Sequence, residues 1–166
     1  MLFFFGKYVH ITFGGEFSMY EYRAILCDVV DGDTVDVDID LGFGIWMRDE
    51  RVRIMGIDTP ESRTRDLVEK KFGLAAKKRI TELLSGPNLV LKTQVARDGE
   101  DMKGKFGRIL GDFSVYYAPQ DRTMPVTEIM MLEGHAVPYM GGSKEELLEQ
   151  HMANRARLIS EGIVEE

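Results

Sequence analysis

The sequence predicts an α+β fold, a small β-barrel carrying about three helices. Three observations predict it. Strand-like segments follow one another through short turns between residues 22 and 57. A helical period then interrupts, and two further strand-like segments and more helical periods complete the chain. That order lacks the regular strand–helix alternation of a doubly wound sheet. At 166 residues with 44% hydrophobic residues, one domain with a real core is expected.

The chain opens with "MLFFFGKYVHITFGGEF". No basic segment precedes its apolar run, which stops at Gly6, too soon for a signal peptide or a membrane span. Residues 1–20 are expected to be an extension, loose or adding a strand, with Met19 a conceivable alternative start. No export signal is visible, so the cytoplasm is the default expectation. No other stretch is long and apolar enough to cross a bilayer.

Residues 22–30 read as the first strand, turning at Asp31-Gly32. Residues 34–41 alternate, with Val35, Val37 and Ile39 facing one way and Asp36, Asp38 and Asp40 the other. These aspartates are expected to form the wet face of an amphipathic strand. A glycine-containing link, "LGFG", leads to a third strand at 51–57, which Pro60 ends. Short turns between the three imply antiparallel pairing. Val68, Phe72, Ala76, Ile80 and Leu83 recur at helical spacing, and "SGPN" stops that helix at Ser85. A fourth strand is expected at 89–96, a charged loop at "RDGEDMKGKFG" and a fifth strand at 108–117. A short helix follows at 126–132, closed by Gly134. The last helix is expected at 144–160 with Leu148, Met152, Ala156 and Ile159 on its packed side. The tail "EGIVEE" is acidic and expected to fray.

Composition bounds the function. A net charge of −7 argues against a passive nucleic-acid coat, which would neutralise phosphates with Lys and Arg. It leaves room for an enzyme that meets phosphate in a local basic pocket. The single cysteine, Cys27, excludes an intramolecular disulfide and reads as an ordinary half-buried thiol. His10, His135 and His151 are scattered without ligand spacing, so a zinc site is not expected.

Six of the thirteen residues from Asp28 to Asp40 are aspartates, and Asp31 and Asp33 flank a turn where the alternation has not yet begun. "DGDT" shares a property with two later stretches, "RIMGIDTPE" and "KFGR": each puts charge where a strand begins or ends. Singly they read as turns and loop exits. Together, Asp33 and Asp58 lie on strands of one meander and could converge on a hard cation, which takes carboxylates, carbonyls and water. Arg53 and Arg108 would add guanidinium forks, which bond phosphate oxygens bidentately and keep their charge. A cation and two fixed arginines are what phosphodiester hydrolysis requires as charge grows on the phosphoryl oxygens. Glu61 is the carboxylate left over to act on the attacking water.

These motifs resemble those of the staphylococcal nuclease (thermonuclease, SNase-like) family. "VVDGDTV", "RIMGIDTPE" and "KFGRIL" match the family's three motifs in order, and "VTEIMMLEGHA" is similar to its second helix. The likeness covers about residues 24–160, and the nuclease-like domain is placed at 21–162, before an acidic tail at 163–166. The resemblance implies a five-stranded OB-type barrel with three helices and Ca²⁺-dependent hydrolysis of DNA and RNA to 3′-phosphate products. It implies that Asp33 and Asp58 bind Ca²⁺ through their side chains and Thr59 through its carbonyl, with Asp31 just outside. Glu61 is implied as general base or water-positioner, and Arg53 and Arg108 as the phosphate clamp. Lys105, Phe106 and Tyr139 are implied as substrate contacts. The partner implied is nucleic acid as substrate, with no membrane, and the chain is expected to be a monomer.

Departures from the pattern are also visible. The span from Asp33 to Arg53 is long, so "LGFGIWMRDE" is expected to protrude as a hairpin or bulge. Trp46 there would stack on a base, pack in the core or meet a partner. Gly104 stands where relatives carry Asp, and Phe106 where tyrosine is more familiar. The family starts its first helix near Phe72, which would make 61–71 a basic active-site loop. Two rival readings are a non-catalytic OB-type binding module and an aspartate-nucleophile phosphatase of the haloacid-dehalogenase type. Every catalytic position is retained, which speaks against the first. Asp28 and the missing crossover helix speak against the second.

Overall fold

The structure is a computed structural model, and it describes residues 4–5, 8–9, 20–94, 107–139 and 143–165. β1 (Phe4–Phe5) and β2 (Tyr8–Val9) form a short antiparallel pair. β3 (Glu21–Asp31), β4 (Thr34–Gly42) and β5 (Ile45–Ile54) make the antiparallel meander. The apolar positions of β4, Val35, Val37 and Ile39, are buried as the period-two pattern requires.

The third strand starts at Ile45 rather than at residue 51, so "LGFGIWMRDE" is the far half of a β4–β5 hairpin. Its register shifts twice, and Asp49 takes a left-handed φ of 54° beside one of the shifts. A bulge of this kind interrupts the alternation, which hides the strand from a period-two reading, and it adds the twist a barrel needs.

β7 (Leu89–Thr93) pairs with β3 on one side and with β8 (Ile109–Tyr117) on the other. The end of β5 then pairs with β8 in parallel, with Val52, Arg53 and Ile54 opposite Ile109, Leu110 and Gly111. That pairing closes β3, β4, β5, β7 and β8 into a five-stranded mixed barrel, and β9 (Arg122–Pro125) extends β8 outside it. The barrel is filled by residues such as Val35, Val52, Ile54, Leu91 and Phe113.

β5 does not run on to residue 57. The chain turns at Met55-Gly56, where Gly56 has a φ of 83°, and β6 (Ile57–Asp58) pairs instead with β10 (Val137–Pro138).

α1 (Leu67–Leu84) begins where the helical period begins, because Asp66 caps it by accepting from the amides of Val68 and Glu69. The later start near Phe72, expected from the resemblance, is therefore corrected. Phe72, Gly73, Ala76, Ile80 and Leu84 are its buried residues, and it packs on β3 and on α2 (Val126–Leu132). Gly134, with a φ of 78°, follows α2 as expected of a glycine terminator.

α3 (Lys144–Ser160) opens with a reciprocal capping box between Ser143 and Glu146. Its packed side is not the predicted one: Leu148, Met152, Ala156 and Ile159 are exposed. The inward residues are Leu147, His151, Asn154, Arg155 and Leu158. The body offers α3 the Asp58 carboxylate, the Ala136 carbonyl and the ring of Phe72, so polar residues are what the contact needs. The tail does not fray at Val164, which is buried with Phe72 and Leu158. Among the described residues no helix is long and apolar enough to cross a membrane.

Candidate active site

Three segments bring the charged motifs to one side of the barrel: the β3–β4 turn, the β5–β6 corner with the strand exit beyond it, and the start of β8. Asp31, Asp33, Arg53, Asp58, Glu61 and Arg108 all line one open cavity of about 590 Å³, together with Asp36, Asp49 and Arg51 further along the β4–β5 face. Barrel closure makes this possible. Arg53 lies opposite Leu110 in the closing strand pair, and Arg108 enters that strand two residues earlier.

Asp33 sits in the tight β3–β4 turn with its side chain 13% exposed. It forms an ion pair with Arg53 at 3.0 Å and accepts from the Thr34 hydroxyl at 2.9 Å. Burial pushes its carboxyl above the usual aspartate range. Arg53 and Thr34 oppose that rise, and the charges of Asp58 and Asp31 add to it. Arg53 is also anchored without its anionic partner: it donates to the carbonyls of Ile54 at 2.9 Å and Ile57 at 3.0 Å. The guanidinium therefore straps the β5–β6 corner and is aimed by the backbone as well as by Asp33.

Asp58 ends β6, where its backbone is set by pairing with Val137. Its side chain meets His151 of α3 at 2.8 Å. Sequence reasoning missed His151, because an isolated histidine on a helix carries no spacing signal. Thr59 is buried, and among the described residues its hydroxyl finds no hydrogen-bond partner.

Glu61 is exposed at the cavity edge, on a segment clamped from two sides. Asp31 accepts from the Ser62 amide at 3.1 Å, and α1 presses Gly73 against the Glu61 backbone. Burial, and then the charge of Asp31 and a hydrogen bond with it, push the Glu61 carboxyl above the usual glutamate range; Asp33 and Glu69 add smaller increments. Arg108 is half-buried on the cavity wall.

The described residues hold no ready-made cluster of three acidic, histidine or cysteine side chains around one point. Their chemistry nonetheless suits a hard divalent ion. Four carboxylates, Asp31, Asp33, Asp58 and Glu61, share the cavity. Asp33 and Glu61 are pushed up partly by their acidic neighbours, a repulsion that a cation would relieve. Asp33 and Asp58 are the side chains that could hold it.

Of the remaining expected contacts, Tyr139 is exposed and does not line this cavity, and its amide donates to the Gly56 carbonyl at 2.9 Å. Lys105 and Phe106 lie outside the described residues, as does Gly104. Trp46 is neither in the core nor free at the hairpin tip. The guanidiniums of Arg23 and Arg48 lie 5.4 and 4.9 Å from its ring, and Phe43 occupies the tip.

Among the described residues, a closed five-stranded mixed barrel with three α-helices, its charged cavity beside the β3–β4 turn, defines an α+β protein of the OB-type nuclease-like class. The sequence model of the staphylococcal nuclease homologue family matches residues 51–159. The chain belongs to that family. A search of curated proteins finds no match.

Proposed function

We propose that this chain is a calcium-dependent phosphodiesterase that hydrolyses DNA, and RNA as a further substrate, to 3′-phosphate products. The observation that carries the reading is the convergence of Asp33, Arg53, Asp58, Glu61 and Arg108 on one cavity, from three separate segments. A binding module has no need of all five.

Arg53 and Arg108 bind the scissile phosphate and set fixed positive charge against the oxygens that gain charge during attack. The backbone anchors of Arg53 keep its fork aimed when phosphate replaces Asp33 as its anionic partner. Glu61 orients the water and takes its proton. Burial, the largest cause of its upward shift and one a bound cation leaves in place, suits this, because a more basic carboxylate accepts a proton more effectively in the transition state. The water oxygen bonds to phosphorus, and the 5′-oxygen departs. Asp33 and Asp58 would hold calcium by their side chains and Thr59 by its carbonyl. Bound there, the ion supplies Lewis-acid stabilisation of the phosphoryl oxygens.

The test is cleavage of plasmid and single-stranded DNA in calcium, in magnesium and in chelator, with Arg53→Ala and Arg108→Ala alongside. Cutting is expected only with calcium, and each variant should lose roughly 10²–10³-fold in rate. Cutting that survives chelator, or variants as fast as wild type, would refute the mechanism. Binding without cutting would favour the non-catalytic module.

A further inference from the structure

The two aspartates assigned to one ion are supported in different ways. Asp33 is held inside the barrel wall by Arg53 and Thr34. Asp58 stands outside it, on a strand only two residues long. Arg53 straps the first residue of that strand through the Ile57 carbonyl, and what holds Asp58 itself comes from the far end of the sequence. Val137 pairs with the Asp58 backbone, and His151 reaches its side chain from 93 residues away.

His151 Nε2 lies 2.8 Å from Asp58 Oδ2. An ionised carboxylate offers only acceptors, so the ring nitrogen is the donor. The histidine side chain is 12% exposed, so water competes little for the contact. One Asp58 oxygen is thereby engaged and rotation of the carboxylate is restrained, leaving Oδ1 for another partner. The helix does not depend on this bond for docking. Asn154 donates to the Ala136 carbonyl at 3.1 Å, Arg155 covers the Phe72 ring and Leu158 is buried.

We propose that His151 is a positioning residue that holds the Asp58 carboxylate in the orientation an ion shared with Asp33 requires, so that α3 sets the ion affinity of the site. The proposal rests on the calcium reading above. A carboxylate that must give up rotamer freedom when the ion arrives binds it more weakly than one already fixed. Partners one step out from a metal are worth about 10- to 100-fold in metal affinity.

The experiment is a calorimetric calcium titration of the full chain, in wild type, His151→Ala, His151→Gln and Asn154→Ala, with melting temperatures measured on the same samples. His151→Ala should weaken calcium binding by at least about 10-fold. His151→Gln, whose amide can donate to the same oxygen, should recover most of that loss. Asn154→Ala removes another hydrogen bond of α3 to the body, so it should lower the melting temperature and leave calcium affinity at the wild-type level. The proposal is overturned if His151→Ala binds calcium as tightly as wild type, if glutamine is no better than alanine, or if Asn154→Ala weakens binding as much as His151→Ala. A wild-type chain that gives no calcium binding overturns the function reading itself, and the positioning role with it.

Discussion

A β-carbon at Gly73 would lie 2.5 Å from the carbonyl carbon and oxygen of Glu61 and 2.6 Å from the Ser62 amide. Those neighbours are backbone and cannot swing aside. Gly73→Ala therefore sets two effects against each other. Alanine in a helix interior gains about 1 kcal/mol over glycine, whereas overpacking typically costs about 1–3 kcal/mol and here meets a peptide unit. The steric cost should win, lowering stability by about 1 kcal/mol in urea melts. The same push moves Glu61, the residue proposed to orient the attacking water, and a misplacement near 1 Å costs on the order of 10²-fold in rate. Single-turnover cleavage should fall well beyond what the stability loss explains. A variant that is more stable and equally active would mean that α1 does not set the position of Glu61. Residues such as Asp33, Arg53, Asp58 and Glu61 are legible in the sequence because their chemistry is confined to short motifs. Gly73 and His151 are not, because each acts on a site residue through tertiary contact that no local pattern records.

At the scale of elements, the β4–β5 hairpin shows where period-two reading stops. It places Asp36, Asp38 and Asp40 on the face opposite the core, as observed, but the expected wet face is corrected: Asp36 is buried and all three are paired with arginines. Arg51 forks Asp36 at 2.7 and 2.8 Å, Arg48 pairs with Asp38 and Arg23 pairs with Asp40. Cross-strand partners are fixed by register, and register here depends on two shifts that hydrophobicity does not encode. On α3 the apolar stripe was real but faces outward, because the surface it docks on offers a carboxylate and a carbonyl. The Asp36–Arg51 pair gives a measurable consequence. Its hydrogen bonds to Arg51 hold the Asp36 carboxyl below the usual range, against a smaller opposing effect of burial. A depressed carboxylate contributes stability in full above the unfolded value, about pH 4, and loses it as pH drops toward the folded one. With Arg51 about half exposed, a double-mutant cycle of Asp36→Asn and Arg51→Ala should give a coupling of about 0.5–1 kcal/mol at neutral pH. The coupling should shrink in high salt and vanish below the folded pKa. A coupling that persists in strong acid would show that packing, not charge, links the two residues.

At the scale of the whole molecule, the parallel closure of β5 on β8 makes a site out of separate motifs, since it brings the strand of Arg53 beside the entry of Arg108. Element order indicated a barrel, but alternation alone cannot say which strands meet at the seam. Closure and helix packing also bury His135, whose Nδ1 has no hydrogen-bond partner among the described residues. Burial drives its pKa down, against a smaller upward pull from Glu133. The fold thus keeps this imidazole neutral at a pH where the unfolded chain protonates it. The unfolded state binds more protons as pH falls through about 6.5, so the native state loses stability below that value, by at most about 1.4 kcal/mol per pH unit for one group. The loss should start well above the range in which Asp36 and the other depressed carboxylates titrate. Urea melts in chelator between pH 7.5 and 5, a window chosen to bracket the reference histidine pKa, should show wild-type stability falling, and His135→Gln should flatten the slope while lowering the plateau by the ordinary cost of a core substitution. If the variant keeps the wild-type slope, His135 is not held neutral by the fold. The acid sensitivity would then belong to another group, and the packing of the α2 terminus against α1 would have to be looser than the buried imidazole implies.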